Sequence, residues 1–196
     1  GQILGADIML EYVYFTNRVK YEKIYDTFAS GDSQQDELSC FAGNHIQQGN
    51  MFGLLAMGNV SNYSNLEQHR IIYESLVKLT LHEVGHTLGL SHNFYASKLH
   101  SFNNIHERHI TEPIGLTSSV MDYVSANVGV NSKNHGQFYT TTPGPYDIWA
   151  IEFGYTPGLT DEERENLLSK STQPEYIFGT DGDAMSSPGV NIDPRN

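Results

Sequence analysis

The chain has 196 residues, 38% hydrophobic and 17% charged, a balance that supports a buried core and excludes a coiled coil or a charge-driven disordered chain. No apolar run approaches the roughly 18 residues a membrane-spanning helix requires. Eleven Lys and Arg against 23 Asp and Glu give a formal net charge of −12, which repels phosphate backbones and argues against a nucleic-acid partner.

Gly1-Gln2-Ile3 shows neither an initiator Met nor a signal peptide, so the chain reads as a piece of a longer protein. There is no internal repeat and no low-complexity block. Ile3 to Tyr14 mixes β-branched and aromatic residues with partial alternation and predicts a strand. Asn17 to Phe28 has no clear period, and Gly31 to Asp36 is a polar loop. The single Cys40 cannot close an internal disulfide; it reads as a small, partly buried side chain or as half of a bridge to a segment outside this chain. His45 to Met57 fits a buried strand or a helix. The spacing of Met51, Leu54 and Leu55, with Gly58 where a helix C-terminus favours glycine, tips it towards helix.

The clearest element runs from about Asn65 to Leu88. Ser64 and Glu67 form a capping box ahead of it. Ile72, Leu76, Leu79, Glu83 and His86 lie on one side at about 100° per residue, while Leu81, Val84 and Leu88 occupy another, so cover on more than one face is expected. Gly89 is the stop. Ser91 to Ser119 reads as loop with short turns. Pro143-Gly144-Pro145 opens a short helix, with Asp147 in its first turn favoured by the helix dipole. Thr160 and Glu163 cap another over DEERENLLSK. From Gln173 onward a polar, Gly- and Pro-rich tail follows.

His82-Glu83-Val84-Gly85-His86 places two imidazoles one helical turn apart, roughly 6 Å between backbones, within reach of one ion at about 2.0–2.1 Å. Glu83 stands between them, its carboxylate beside the metal rather than on it. Gly89 permits a positive φ and a sharp turn, which can bring in His92 as a third ligand. Three neutral nitrogens leave one open corner on a tetrahedral zinc ion, as catalytic sites do.

The string His82-Glu83-x-x-His86-x-x-Gly89-x-x-His92, followed by Ser119-Val120-Met121-Asp122-Tyr123, resembles the zinc motif and methionine turn of the metzincin metalloproteases. HEVGHTLGLSHNF, SSVMDYV and TTPGPYDIWAIEFGY together look most like a bacterial met-zincin family found within large secreted or envelope proteases, over roughly Ile3 to Tyr155. The resemblance implies an α/β (α+β) fold: a mixed sheet that includes the GADIMLEYVY strand, the long active-site helix, a mostly irregular lower subdomain and a C-terminal helix, YDIWAIEFGY. It implies one catalytic domain over 1–196, with an upper part at about 1–89, a lower part at about 90–156 and an extension at 157–196, and flanking domains of a larger protein. It puts Met121 under the metal, Tyr123 on or near it, and Val124, Ser125, Ala126, Asn127 and Val128 on a wall of the specificity pocket. Asn93, after the third ligand, assigns no subfamily. A secreted or cell-envelope location follows from the resemblance alone.

The expected chemistry is peptide hydrolysis by a zinc-activated water, with one catalytic Zn²⁺, Glu83 as general base and Tyr123 helping to stabilise the oxyanion. The partner is a peptide or protein substrate. Two other readings are a non-catalytic zinc-containing binding module of a larger protein and a zinc hydrolase of non-peptide amides. Ligation does not need Glu83, whose presence favours catalysis. His106 and His109 are the best pair for a second metal but lack a third partner; His45, His69, His100 and His135 read as solvated. Asp181, Asp183 and Asp193 lack the spacing of a calcium loop, so calcium is unsupported.

Overall fold

The computed structural model describes residues 3–8, 42–59, 63–129 and 135–180. The readings for the rest of the first 41 residues, Cys40 among them, and for Asp181, Asp183 and Asp193 lie outside the described residues. Five α-helices are present among those described: α1 Ala42–Asn59, α2 Asn65–Thr87, α3 Arg108–Ile114, α4 Pro145–Tyr155 and α5 Asp161–Leu168, with a 3₁₀ turn at Ala96–Lys98. No helix among the described residues is long and apolar enough to cross a membrane.

The expected mixed sheet is corrected by this architecture. Among the described residues there is no strand, only an antiparallel bridge between Glu107 and His135. Ile3 to Ile8 form no strand, and Leu4 is 91% exposed. Strand propensity is largely a statement about pairing and half-burial; residues 3–7 are exposed, and residues 3–8 pair with no strand among the described residues. The rest of the GADIMLEYVY segment lies outside the described residues.

α2 carries the site. Glu67 N–H donates to Ser64 Oγ at 3.3 Å and Ser64 N–H to Glu67 Oε2 at 2.7 Å, the expected capping box,. The buried stripe is Ile71, Glu74, Ser75, Lys78, Leu79, His82 and Gly85, spaced by three and four residues. It therefore lies off the face marked by Ile72, Leu76 and His86, and Val84 is exposed. The stripe's polar members are all engaged. Glu74 Oε2 accepts from Phe138 N–H at 2.6 Å and Tyr139 N–H at 3.2 Å, and its other oxygen lies 3.2 Å from Arg70 Nε. Arg70 also donates to Gly136 O at 2.6 Å and covers the Phe138 ring. Ser75 Oγ accepts from Asn50 Nδ2 at 2.9 Å, joining α1 to α2.

α1 is the helix anticipated at His45 to Met57, but it buries Ala42, Ile46, Gly49, Asn50, Gly53 and Met57 and leaves Leu55 exposed. Its small residues allow close approach to the segment at 125–128, where Ala126 and Val128 pack. Ile46, Ile71, Leu79, Phe94, Tyr123, Phe138 and Tyr139 form the main apolar core. Most of 90–144 is irregular, as expected, but α3 appears where only loop was anticipated; its polar sequence and internal Pro113 hide it.

His135 is buried rather than solvated, 2% exposed and stacked on Phe138 at 4.7 Å. Burial, helped by His106 and Arg70 nearby, pushes its imidazole down to about 4. The folded state therefore favours neutral His135. Its stabilising contribution is complete above the unfolded value near 6.5 and is lost as pH falls through about 4,. Urea unfolding between pH 7 and 4 should show the wild-type chain losing more stability than His135→Phe; parallel pH profiles would remove His135 from the acid response.

Candidate metal centre

The end of α2 sets the geometry. Leu90 N–H donates to Gly85 O at 3.0 Å and Gly89 N–H to His86 O at 2.9 Å, the paired bonds of a Schellman turn. Gly89 takes φ 86°, which a side chain would strain. The reversed chain then returns His92 to the helix. Ring centroids are 4.7 Å apart for His82 and His86, 4.9 Å for His86 and His92, and 5.4 Å for His82 and His92. One nitrogen from each ring lies within 4.8 Å of the others, the only such group of three His, Cys, Asp or Glu found among the described residues.

The donor set fits a zinc ion. His82 Nδ1 is 2.8 Å from Val120 O and His86 Nδ1 is 3.0 Å from Leu90 O. A carbonyl can only accept, so both Nδ1 atoms carry the proton and Nε2 is in each ring the nitrogen able to ligate a metal. His86 Nε2 is buried and has no hydrogen-bond partner, an expense that a metal ion would relieve. His82 is wholly buried; that burial, and then the Lys78 ammonium, pushes its imidazole down to about 2, so it is held in the neutral form a metal requires.

Tyr123 is buried, with its hydroxyl 2.9 Å from His92 Nε2 and its ring 4.7 Å from the His92 ring. It thus sits beside the third imidazole. Glu83 is half-buried on α2 between His82 and His86. Met121 is fully buried, and a Cβ at Gly85 would collide with its sulfur. Gly85 therefore lets the methionine turn press directly on the helix between the two histidines.

The turn is itself held from below. Asp147, at the start of α4, accepts from Ser119 Oγ at 2.5 Å, Val120 N–H at 2.8 Å and Gly144 N–H at 2.9 Å. Burial raises its pKa against these three donors. At the other end of α4, Tyr155 Oη donates to Leu88 O at 2.8 Å. Asn93, after the third histidine, donates its N–H to Met121 O at 3.1 Å, and its amide joins Ile177 O and Gly179 N.

Sequence reasoning passed over Gly85, Asn93 and Lys78 as parts of this assembly. Only Lys78 left a signal, its place one turn before His82 on the same face. Of the segment expected to wall a specificity pocket, Ala126 and Asn127 are buried, Val124 and Val128 half-buried and Ser125 exposed. Asn127 donates to Ile105 O at 2.9 Å and Gln137 O at 3.0 Å. His106 does not gather with His109: its ring lies 5.7 Å from that of His135, while His109 faces Glu107.

A family model described as Met-zincin matches residues 64–196, more than half of the chain. The chain belongs to the met-zincin family. No significant match to a curated protein or to a solved structure accompanies it. In this met-zincin, family membership and the three-histidine group together point to a zinc metallopeptidase.

The brace under the turn can be measured. Asp147→Ala leaves two backbone N–H groups and a hydroxyl without an acceptor, at about 1–3 kcal/mol for each buried donor left unpaired, so urea unfolding should show a loss of at least about 3 kcal/mol. Asp147→Asn keeps one acceptor oxygen and should lose less than half as much. An Ala variant within about 1 kcal/mol of wild type would contradict the assignment.

Proposed function

We propose that this met-zincin is a zinc-dependent endopeptidase whose ligands are His82, His86 and His92 and whose general base is Glu83. The observation that carries the reading is the convergence of three imidazoles, with Nδ1 of His82 and of His86 each engaged by a carbonyl and Nε2 of His86 buried without a hydrogen-bond partner. A zinc ion held by His82, His86 and His92 would lower the pKa of water and polarise the scissile carbonyl,.

The chain's own residues do the rest. Glu83, offset from the ligands by its place between them on α2, accepts a proton from the attacking water and delivers it to the leaving amine. The Tyr123 hydroxyl, already beside His92 Nε2, donates to the carbonyl oxygen as it gains charge. Met121 and Gly85 form the floor that keeps the helix and the turn in register. No covalent acyl intermediate is required. Val124 and Ser125, the less buried part of the segment after the turn, are the positions we assign to contact with substrate side chains.

Digestion of a peptide library should be abolished by a chelator and restored by Zn²⁺. Glu83→Gln should keep stoichiometric zinc while turnover falls about 10²–10⁴-fold; full turnover would remove Glu83 from the mechanism. Tyr123→Phe should lower kcat about 10²-fold with little change in KM. A change confined to KM would make Tyr123 a substrate-binding residue instead. Zinc binding without any hydrolysis by the wild-type chain would favour a binding module.

A further inference from the structure

We propose that Lys78 is a positioning residue for the metal centre, its buried ammonium fixing the backbone carbonyl that orients His82. The proposal rests on the reading of His82, His86 and His92 as zinc ligands.

Lys78 lies one helical turn before His82 on the buried stripe of α2 and is 2% exposed. Its Nζ donates to Val120 O and, at 3.0 Å, to Asp122 O. Val120 O is also the acceptor for His82 Nδ1 at 2.8 Å. A carbonyl has two lone pairs and can serve both donors. Both donors come from one rigid helix, so together they hold this oxygen from two directions, and the ring of His82 is aimed by an acceptor that cannot swing.

The second bond, to Asp122 O, extends the hold across the methionine turn. Met121 lies between the two gripped carbonyls, and its own carbonyl accepts from Asn93 N–H, next to His92. One ammonium thus links the support of the first ligand to that of the third. Asp122 supplies the compensating charge: it is buried, accepts from Ser97 N–H at 2.9 Å, and interacts electrostatically with Lys78.

A position needed only for packing would be better served by Met or Leu, because taking an ammonium out of water is costly. Outer-shell partners that aim a ligating imidazole, in contrast, commonly carry 10–100-fold of metal affinity. Lys78 has the geometry of such a partner, acting through a peptide carbonyl.

The test uses the full chain with Zn²⁺ and Co²⁺ as probes. Lys78→Met removes the charge and keeps the length of the side chain; Lys78→Met with Asp122→Asn also removes the carboxylate that would otherwise be left buried and unpaired. The proposal expects a folded double variant, judged by circular dichroism and cooperative unfolding. Its Zn²⁺ affinity, by chelator competition, should be weaker by about 10–100-fold, with an altered Co²⁺ ligand-field spectrum. Wild-type affinity and spectrum in that folded variant would overturn the proposal. So would failure of the double variant to fold, which would assign Lys78 to the fold alone. A wild-type chain that binds neither ion would instead overturn the parent reading of the histidines.

Discussion

Two imidazoles on one helix can share a metal only if something fixes the nitrogen each turns away from it. Here the fixing groups are peptide carbonyls, Val120 O for His82 and Leu90 O for His86. They come from different sources. The second is made by the helix's own terminal turn, so the glycine bend that stops the helix also presents Leu90 O to its last histidine. The first comes from a segment 38 residues further along the chain. Formation of the site therefore waits on a tertiary contact, the docking of the methionine turn against α2.

That docking is over-determined. Gly85 removes the side chain that would hold the turn away, Lys78 binds it from above, and Asp147 binds it from below. α4 spans the underside, with a carboxylate at its first turn and a phenol at its last, so one short helix touches both the methionine turn and the end of α2. Such redundancy suits the proposed role, in which the three imidazoles must stay placed while water and substrate exchange.

How much of this was legible beforehand depended on whether a feature is local. The capping boxes at Ser64 and Thr160, the helix opened by Pro145 and the glycine turn at Gly89 are written in neighbouring residues, and all four stand in the fold. The histidine spacing is equally local, and the rings do gather. Features that depend on distant partners were misread. The inner face of α2 carries Glu74, Ser75, Lys78 and His82, which a hydrophobic pattern cannot reveal, because each is tolerated only by an acceptor or donor elsewhere in the chain. α1 likewise hides two glycines and an asparagine beside Ile46 and Met57, while Phe52 and Leu55 stay exposed. Over residues 3–8, the described part of the strand expected from Ile3 onward, the converse holds: propensity alone does not provide a neighbour to pair with,.

The bonds from Asn93 to Ile177 and Gly179, with Phe94 N–H donating to Gly179 O at 2.7 Å, bear on where the working unit stops. Helix α4 finishes at Tyr155, and a boundary drawn there would look natural on the page. Yet the stretch around Gly179 is stitched to the very loop that delivers the third imidazole. Cutting the polypeptide after α4 would strand a fully enclosed carboxamide without its mates, and loosen His92 from behind. Any excised version meant to keep the centre intact must carry the chain at least through Gly179.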